Sequence, residues 1–482
     1  MTQTRREFFD TLLAAAAAGA TTFGAQPLLA RNPRCSPNET IRVGVAGVRG
    51  RGRAHIGAFK NMDNVEVVAL CDPDEAVVDL ARKSVPDAKY HKDIRSMLDD
   101  DSLDVIAIAT PNHWHSLASI WALQAGKHVY VEKPLSHDVY EGRALVEIAA
   151  SSGLVVQHGT QARSAKATRE AMQFLHDGGL GKVSVARALC YKRRGSIGKV
   201  DGPQQPPSSV DYKLWCGPAG DHPLTRRNLH YDWHWNFATG NGDLGNQGVH
   251  QMDIARWGLG VDTLPTHIQS VGGRVGYVDD GNTPNTQLAL FDYGEQQLIF
   301  EVRGLKTPGY KGASIGVVFE GEKGYLVSAS YNRVQAFDRE GQAIATFEGG
   351  DNHFGQFMEC VRANDPGAVN ATPLEGHLSS ALCHLGNISY KLGLPTPVGD
   401  LGNSFDKFPN GAGLEIGAEA IDRFGKHLAD NNIDTKKEFG LVGPALTLDP
   451  KAERFHGERA NEANQLLRKP PVDGFTVPDL AV

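Results

Sequence analysis

Apolar residues along this chain follow two patterns. From Ile41 to about Gly159 they form short, nearly unbroken runs: Ile41–Ala46, Val65–Leu70, Val105–Ala109, Val129–Val131 and Leu154–Val156. Such runs predict strands buried on both faces of a parallel sheet. Stretches with helical spacing lie between them, such as Glu75–Lys83 and Val139–Ala150. Strand and helix alternating with short loops predict a doubly wound α/β sheet. The second pattern begins near Val183. Runs rich in β-branched and aromatic residues recur at Val183–Tyr191, Ile268–Val275, Thr286–Asp292, Gln297–Val302, Ser314–Glu320 and Gly324–Ser328. The turns Tyr293-Gly294-Glu295 and Glu320-Gly321-Glu322 predict hairpins, hence antiparallel strands. Helices are expected at His353–Arg362, Glu375–Leu392 and Leu414–Asp430. Beyond Pro395 the chain is loop-rich, and its proline-rich stretch Pro470–Pro478 is expected to wrap the surface.

Ahead of these patterns, Thr4-Arg5-Arg6-Glu7-Phe8-Phe9 precedes an alanine-rich segment, Leu12–Ala20. This reads as a twin-arginine export signal. It predicts passage through the twin-arginine export machinery, cleavage between Ala20 and Arg34, and a periplasmic location.

Chemistry enters at the strand ends. The first run leads into Gly47-Val48-Arg49-Gly50-Arg51-Gly52, with Arg49 where the dinucleotide fingerprint has its middle glycine. A strand entering a glycine turn that opens a helix lets backbone N–H groups approach a pyrophosphate. The second run ends in Cys71-Asp72, where an acid meets ribose hydroxyls. Pro73, Asp74 and Glu75 follow and would repel a 2′-phosphate, so NAD is favoured over NADP; Arg49 and Arg51 keep NADP open. Thr110-Pro111-Asn112-His113-Trp114-His115 follows the third run and Glu132-Lys133-Pro134 the fourth. Both loops lie at the carboxyl edge of the sheet, where doubly wound folds bind ligands. A lysine beside the positive nicotinamide has its pKa lowered by like charge. Lys133 is therefore a candidate acid–base group, with Glu132 orienting it or touching the cofactor.

Composition narrows the classes. The 482 residues are 41% hydrophobic and 22% charged, as in soluble globular proteins. The net charge of −7, without a long basic run, excludes a nucleic-acid partner. The six cysteines are scattered and form no CxxC pair, which excludes a zinc ribbon and predicts free buried thiols. His230 and His234, like His113 and His115, lack the carboxylate spacing of a metal motif, so no metal is expected. The segment His230-Tyr231-Asp232-Trp233-His234-Trp235 reads either as a sugar-stacking wall or as a core aromatic cluster. Arg193, Arg227 and Gln161 are further candidates for such a cleft.

The glycine turn, Asp72, Thr110-Pro111-Asn112 with His115, Glu132-Lys133-Pro134, Gly159-Thr160-Gln161 and the stretch from Gly242 to Asp253 occur together. With them the chain, from about residue 41 onward, resembles the glucose-fructose oxidoreductase and inositol dehydrogenase (Gfo/Idh/MocA) superfamily. The resemblance implies an N-terminal Rossmann domain and a C-terminal α/β domain with a large, mostly antiparallel open sheet. It also implies homodimers or homotetramers built on that sheet, and substrate bound between the domains. The implied division is a signal and linker at 1–34, the NAD(P)-binding domain at 35–160, a substrate and oligomerisation domain at 161–395, and an extension packed on that domain at 396–482. Cofactor contacts are implied for Gly47, Arg49, Gly50, Gly52, Asp72, Thr110, Pro111, Asn112, His115, Glu132, Lys133 and Gln161. Substrate contacts are expected from Arg163, Tyr191, Tyr231, Trp233, Trp235, Asn246 and His250, with Lys133 and His250 catalytic. Inositol dehydrogenase-like members carry an aspartate four residues before the histidine. Here Asn246 stands there, and an amide cannot accept a proton. The expected activity is NAD(P)-dependent oxidation of a sugar or polyol carbinol. One alternative is glycoside cleavage through transient oxidation and elimination; another is non-catalytic sugar binding.

Overall fold

The computed structural model describes residues 39–405, 408 and 411–480. The twin-arginine segment and the expected leader at 1–34 lie outside these residues. Among them, two sheets organise the chain. The first contains β1 (Ile41–Ala46), β2 (Val65–Cys71), β3 (Lys89–His91), β4 (Val105–Ile108), β5 (His128–Val131) and β6 (Val156–His158). Its order is β3-β2-β1-β4-β5-β6, with every pair parallel. This is the Rossmann order, and the strand sequence reverses direction between β1 and β4. β4 and β5 are buried along their whole length, which is why they read as unbroken apolar runs. β3 is the exposed edge and is polar, Lys-Tyr-His, so it carries no such signal.

The second sheet begins with β7 (Val183–Cys190) and continues with β8 (His267–Gly273), β9 (Thr286–Asp292), β10 (Gln297–Arg303), β11 (Ile315–Gly321) and β12 (Gly324–Ser330). β9–β10 and β11–β12 are the expected hairpins, and β7–β10 is a parallel pair. Two further strands, Arg333–Asp338 and Ala343–Glu348, extend one edge; they are half-exposed and have no apolar run to announce them. The helices Gly248–Leu259 and Pro373–Lys391 pack on one face around Phe291, Phe300 and Phe319. The helix Gly411–Asp430 covers part of the opposite face, seating Ile421, Phe424 and Leu428 on Val271, Leu288 and Ile299.

The extension reaches further than its expected place on the second domain. Short strands at Leu394–Pro397, Phe439–Val442 and Leu446–Asp449 join the second sheet. The stretch beyond Pro470 then crosses to the Rossmann domain. There Phe475 is buried against Trp114 and Trp121, with ring centroids 5.5 and 6.4 Å away. Apolar burial draws it there: Phe475, Val472 and Val477 complete the core above the helix His115–Gln124. Cys71, Cys190, Cys216, Cys360 and Cys383 are buried free thiols.

Candidate active site

The β1 turn is shaped by steric necessity. Gly47 has φ +79°, and a Cβ there would meet the Thr110 backbone nitrogen at 2.5 Å. A Cβ on Gly52 would stand 1.7 Å from the Gly47 carbonyl oxygen. Gly50 has φ +46° and open space around its missing side chain. It opens the helix Arg51–Phe59, which has no side-chain cap and no acid in its first turn. Uncapped N–H groups with open space above them fit an anionic pyrophosphate.

Asp72 sits at the end of β2. Its carboxylate accepts the N–H groups of Val48 and Asp74, both at 3.0 Å. Burial pushes its pKa up to about 6, against those two bonds. Each oxygen keeps a lone pair for a ribose hydroxyl. Turn and carboxylate line one cleft of about 490 Å³ that continues to Thr110, Lys133, Asn246 and His250.

At the far end of that cleft β5 delivers Glu132 and Lys133, ahead of a cis bond to Pro134. The Glu132 carboxylate accepts from Arg51 Nε at 2.7 Å and pairs with His55 Nε2 at 3.0 Å. Burial opposes its charge, but His55 and Arg51 hold its pKa well below the usual value. Lys133 Nζ donates to the backbone carbonyl of Asn246 at 2.6 Å. Burial lowers the lysine pKa, Glu132 opposes and Arg51 reinforces the shift. His250 lies in the first turn of its helix, buried, with Nδ1 lacking any partner. Burial, then the charge of Lys133, push it well below the usual imidazole range. Its ring is therefore neutral at physiological pH.

The remaining wall is aromatic. Trp233 stacks on His234, centroids 3.6 Å apart and planes 20° apart. Tyr231 and His230 stand beside them. His230 Nε2 bonds Asp74 at 2.7 Å and His234 Nδ1 bonds the Tyr231 carbonyl, so the two face separate partners.

Of the expected cofactor residues, Gly47, Arg49, Gly50, Asp72, Thr110, Pro111, His115, Glu132, Lys133 and Gln161 line the cleft. Gly52 supports the turn from behind. Asn112 is buried and donates to Asn241 Oδ1 at 2.7 Å, tying the loop to the second domain. Tyr231, Trp233, Asn246 and His250 also line the cleft, whereas three expected substrate residues lie elsewhere. Arg163 is held by Asp253 and Glu375, both at 2.9 Å. Tyr191 donates to Glu301 at 2.7 Å within the second sheet. Trp235 is buried beneath the Arg194 guanidinium, 5.0 Å from its ring centre. Trp114 of the Thr110–His115 loop lines the cleft too, as do Lys92, Asp93 and Trp215, which the sequence does not single out. Lys92 and Asp93 follow β3, so recognising that strand would have placed them at the carboxyl edge. Trp215 has no such signal.

Two family models match. Residues 41–160 fit the oxidoreductase family's NAD-binding Rossmann fold, and residues 178–400 fit its C-terminal alpha/beta domain. An alpha-N-acetylgalactosaminidase of Shewanella oneidensis is 35% identical over 120 residues. A glycosyl hydrolase family 109 protein of Shewanella sp. strain ANA-3 is 36% identical over a match of the same length. Each match covers 23% of this chain and only about a quarter, 26%, of the relative. Among solved structures, the WlbA dehydrogenase from Bordetella pertussis, in complex with NADH and UDP-GlcNAcA, is 19% identical with a TM-score of 0.54, covering 71% of this chain and 94% of that one. GenD2 from gentamicin A biosynthesis, in complex with NAD, is 18% identical with a TM-score of 0.52, covering 76% and 95%. With both family domains in order along it, the chain belongs to the Gfo/Idh/MocA oxidoreductase family, and its first domain is an NAD-binding Rossmann domain.

Proposed function

We propose that this protein is an NAD-dependent enzyme that oxidises a carbinol carbon of a sugar unit held in the cleft. The observation carrying this reading is Lys133. It is a half-buried amine with a lowered pKa, held by the Asn246 carbonyl in a cleft that both the cofactor wall and the aromatic wall line. Gly47, Gly50 and the first turn of the following helix would hold the pyrophosphate, and Asp72 a ribose. NAD⁺ supplies the hydride acceptor for the carbinol carbon. The chain's own work is to move the hydroxyl proton. As a neutral amine, Lys133 directs one N–H to the Asn246 carbonyl and keeps its lone pair for the substrate hydroxyl. In the reverse direction its ammonium form returns that proton to the carbonyl oxygen. The neutral His250 lines the cleft and offers a ring nitrogen to a hydroxyl, and the Trp233–His234 pair offers a flat surface to a sugar ring. Glu132 faces Arg51 and His55, so it sets the charge around Lys133 and positions it.

A second reading, cleavage of a glycoside, is supported by the names of the curated relatives. Oxidation of one sugar carbon acidifies the neighbouring C–H. His250 or Lys133 takes that proton, the aglycone leaves with the C–O electron pair, water adds in its place and the hydride is returned. Export of the folded, cofactor-loaded protein through Arg5 and Arg6 belongs with either reading, as does assembly into homo-oligomers.

One experiment separates the readings. The holoprotein is incubated with sugars and glycosides in deuterated water. Net NADH supports the oxidoreductase. Aglycone release without NADH, with deuterium next to the oxidised carbon, supports cleavage. A broad panel yielding none of these overturns both and leaves a sugar-binding protein.

A further inference from the structure

Tyr231 lines two recesses. One is the cleft; the other is a neighbouring groove of about 650 Å³, and Tyr231 is the residue they share. The groove is lined by Arg193, Arg194 and Arg227, with Trp235 and Asp232. These guanidinium groups are not equivalent. Arg194 is fully engaged: Nε and one terminal nitrogen hold Asp243 at 2.8 and 2.6 Å, and the other donates to the Tyr231 hydroxyl at 2.8 Å. Arg193 and Arg227 are exposed and have no ion pair among the described residues. Arg227 directs only Nε to a neighbour, the Lys199 carbonyl at 3.3 Å. The groove's acid, Asp232, is buried and accepts from Asn228 at 2.9 Å. Two uncompensated guanidinium groups thus face a recess whose one carboxylate is already occupied.

The Tyr231 backbone adds a second observation. Its φ is +64° and ψ −50°, and the Asp232 N–H donates to the His230 carbonyl at 2.9 Å. This is the rarer, strained form of the three-residue γ-turn. A bulky aromatic residue in such a conformation persists only where its surroundings impose it, and such outliers cluster at ligand sites. Here the turn stands a half-exposed ring between the two recesses, tethered through its hydroxyl to Arg194.

We propose that this groove is a second subsite, which takes an anionic sugar unit linked to the sugar that reacts at Lys133. Carboxylate and sulfate share the required chemistry: oxygens that accept paired N–H groups from a guanidinium fork. The Tyr231 ring gives the linked sugar an apolar face to rest on. The proposal rests on the cleft being a sugar site, and it narrows the substrate to an acidic oligosaccharide or glycoside.

The test measures binding rather than turnover. Full-length holoprotein is titrated with digalacturonate, galactose 6-sulfate and neutral lactose. At low salt the acidic probes should bind about tenfold more tightly than lactose, the scale of a charge-assisted hydrogen bond. High salt should shrink the preference. Replacing Arg193→Gln together with Arg227→Gln should abolish it while leaving lactose binding and NAD content unchanged. Preference for only one acidic probe identifies the group recognised. Equal affinities for all three probes, or a preference surviving in the double variant, overturns the subsite. Acid preference without turnover on any sugar breaks the proposed activity and keeps the subsite; turnover on neutral sugars without acid preference does the reverse.

Discussion

The two walls of the cleft are built by different physics. The cofactor wall is largely backbone. Its shape follows from positions where a Cβ cannot fit and from N–H groups left uncapped, and its turn and acid lie between residues 41 and 72. The substrate wall is side chains on a loop and one helix turn, fixed by partners far along the chain. Asn112 holds Asn241, the ring nitrogens of His113 face the Thr239 and Trp215 carbonyls, and Lys133 reaches the Asn246 carbonyl. Steric exclusion fixes the first wall, and a long-range polar network fixes the second. The first should therefore fail through shape and the second through chemistry.

The largest expected effect tests whether the walls are separable. Lys133→Met should lower turnover by about 10²–10⁴-fold, the scale of a general acid–base group, while nucleotide released on denaturation stays at the wild-type level. Loss of nucleotide alongside turnover would join the walls into one unit. Next, Gly52→Ala forces a methyl group onto the Gly47 carbonyl. It should destabilise the fold by roughly 1–3 kcal/mol and empty the cofactor site; a thermal melt with nucleotide assay reads both, and a variant that keeps its NAD contradicts the steric account. Asp72→Ala should weaken NAD binding by about 1–3 kcal/mol. Burial sets the Asp72 pKa at about 6, so its carboxylate is present above that pH and lost below it. Wild-type affinity for NAD should accordingly fall as pH drops through about 6, and Asp72→Asn should remove that dependence. A flat wild-type profile would mean the carboxylate does not hold the ribose. Smallest is Asn246→Ala. The atom anchoring Lys133 is a backbone carbonyl, so turnover should change by less than about twofold while the Michaelis constant rises. A large fall in turnover would show that the amide itself takes part.

The same contrast explains what could be read from residues alone. β4 and β5 are buried on both faces, so apart from His128 at the start of β5 they read as apolar runs, and their ends point to Thr110 and Lys133. β3 pairs on one side only and tolerates polar residues, which hid it along with Lys92 and Asp93. Arg163 and Tyr191 look like substrate contacts in the sequence because composition does not reveal partners. Asp253 and Glu375 close on Arg163 only after folding, and Tyr191 follows a strand whose sheet carries Glu301. The sequence draws attention to the Asn246 amide, but the atom that meets Lys133 belongs to its backbone. Tyr231 was visible as an aromatic residue; its strained turn was not, because no local sequence rule demands it.

The contact between Trp114 and Phe475 sets an order of events in the cell. Trp114 borders the cofactor cleft, yet the ring that buries it leaves the ribosome long after the Rossmann strands have emerged. Domains begin folding as they appear during synthesis. The strands and helices of this domain can pack before then, but the Phe475 side of its core is completed only once residues near 475 have been made.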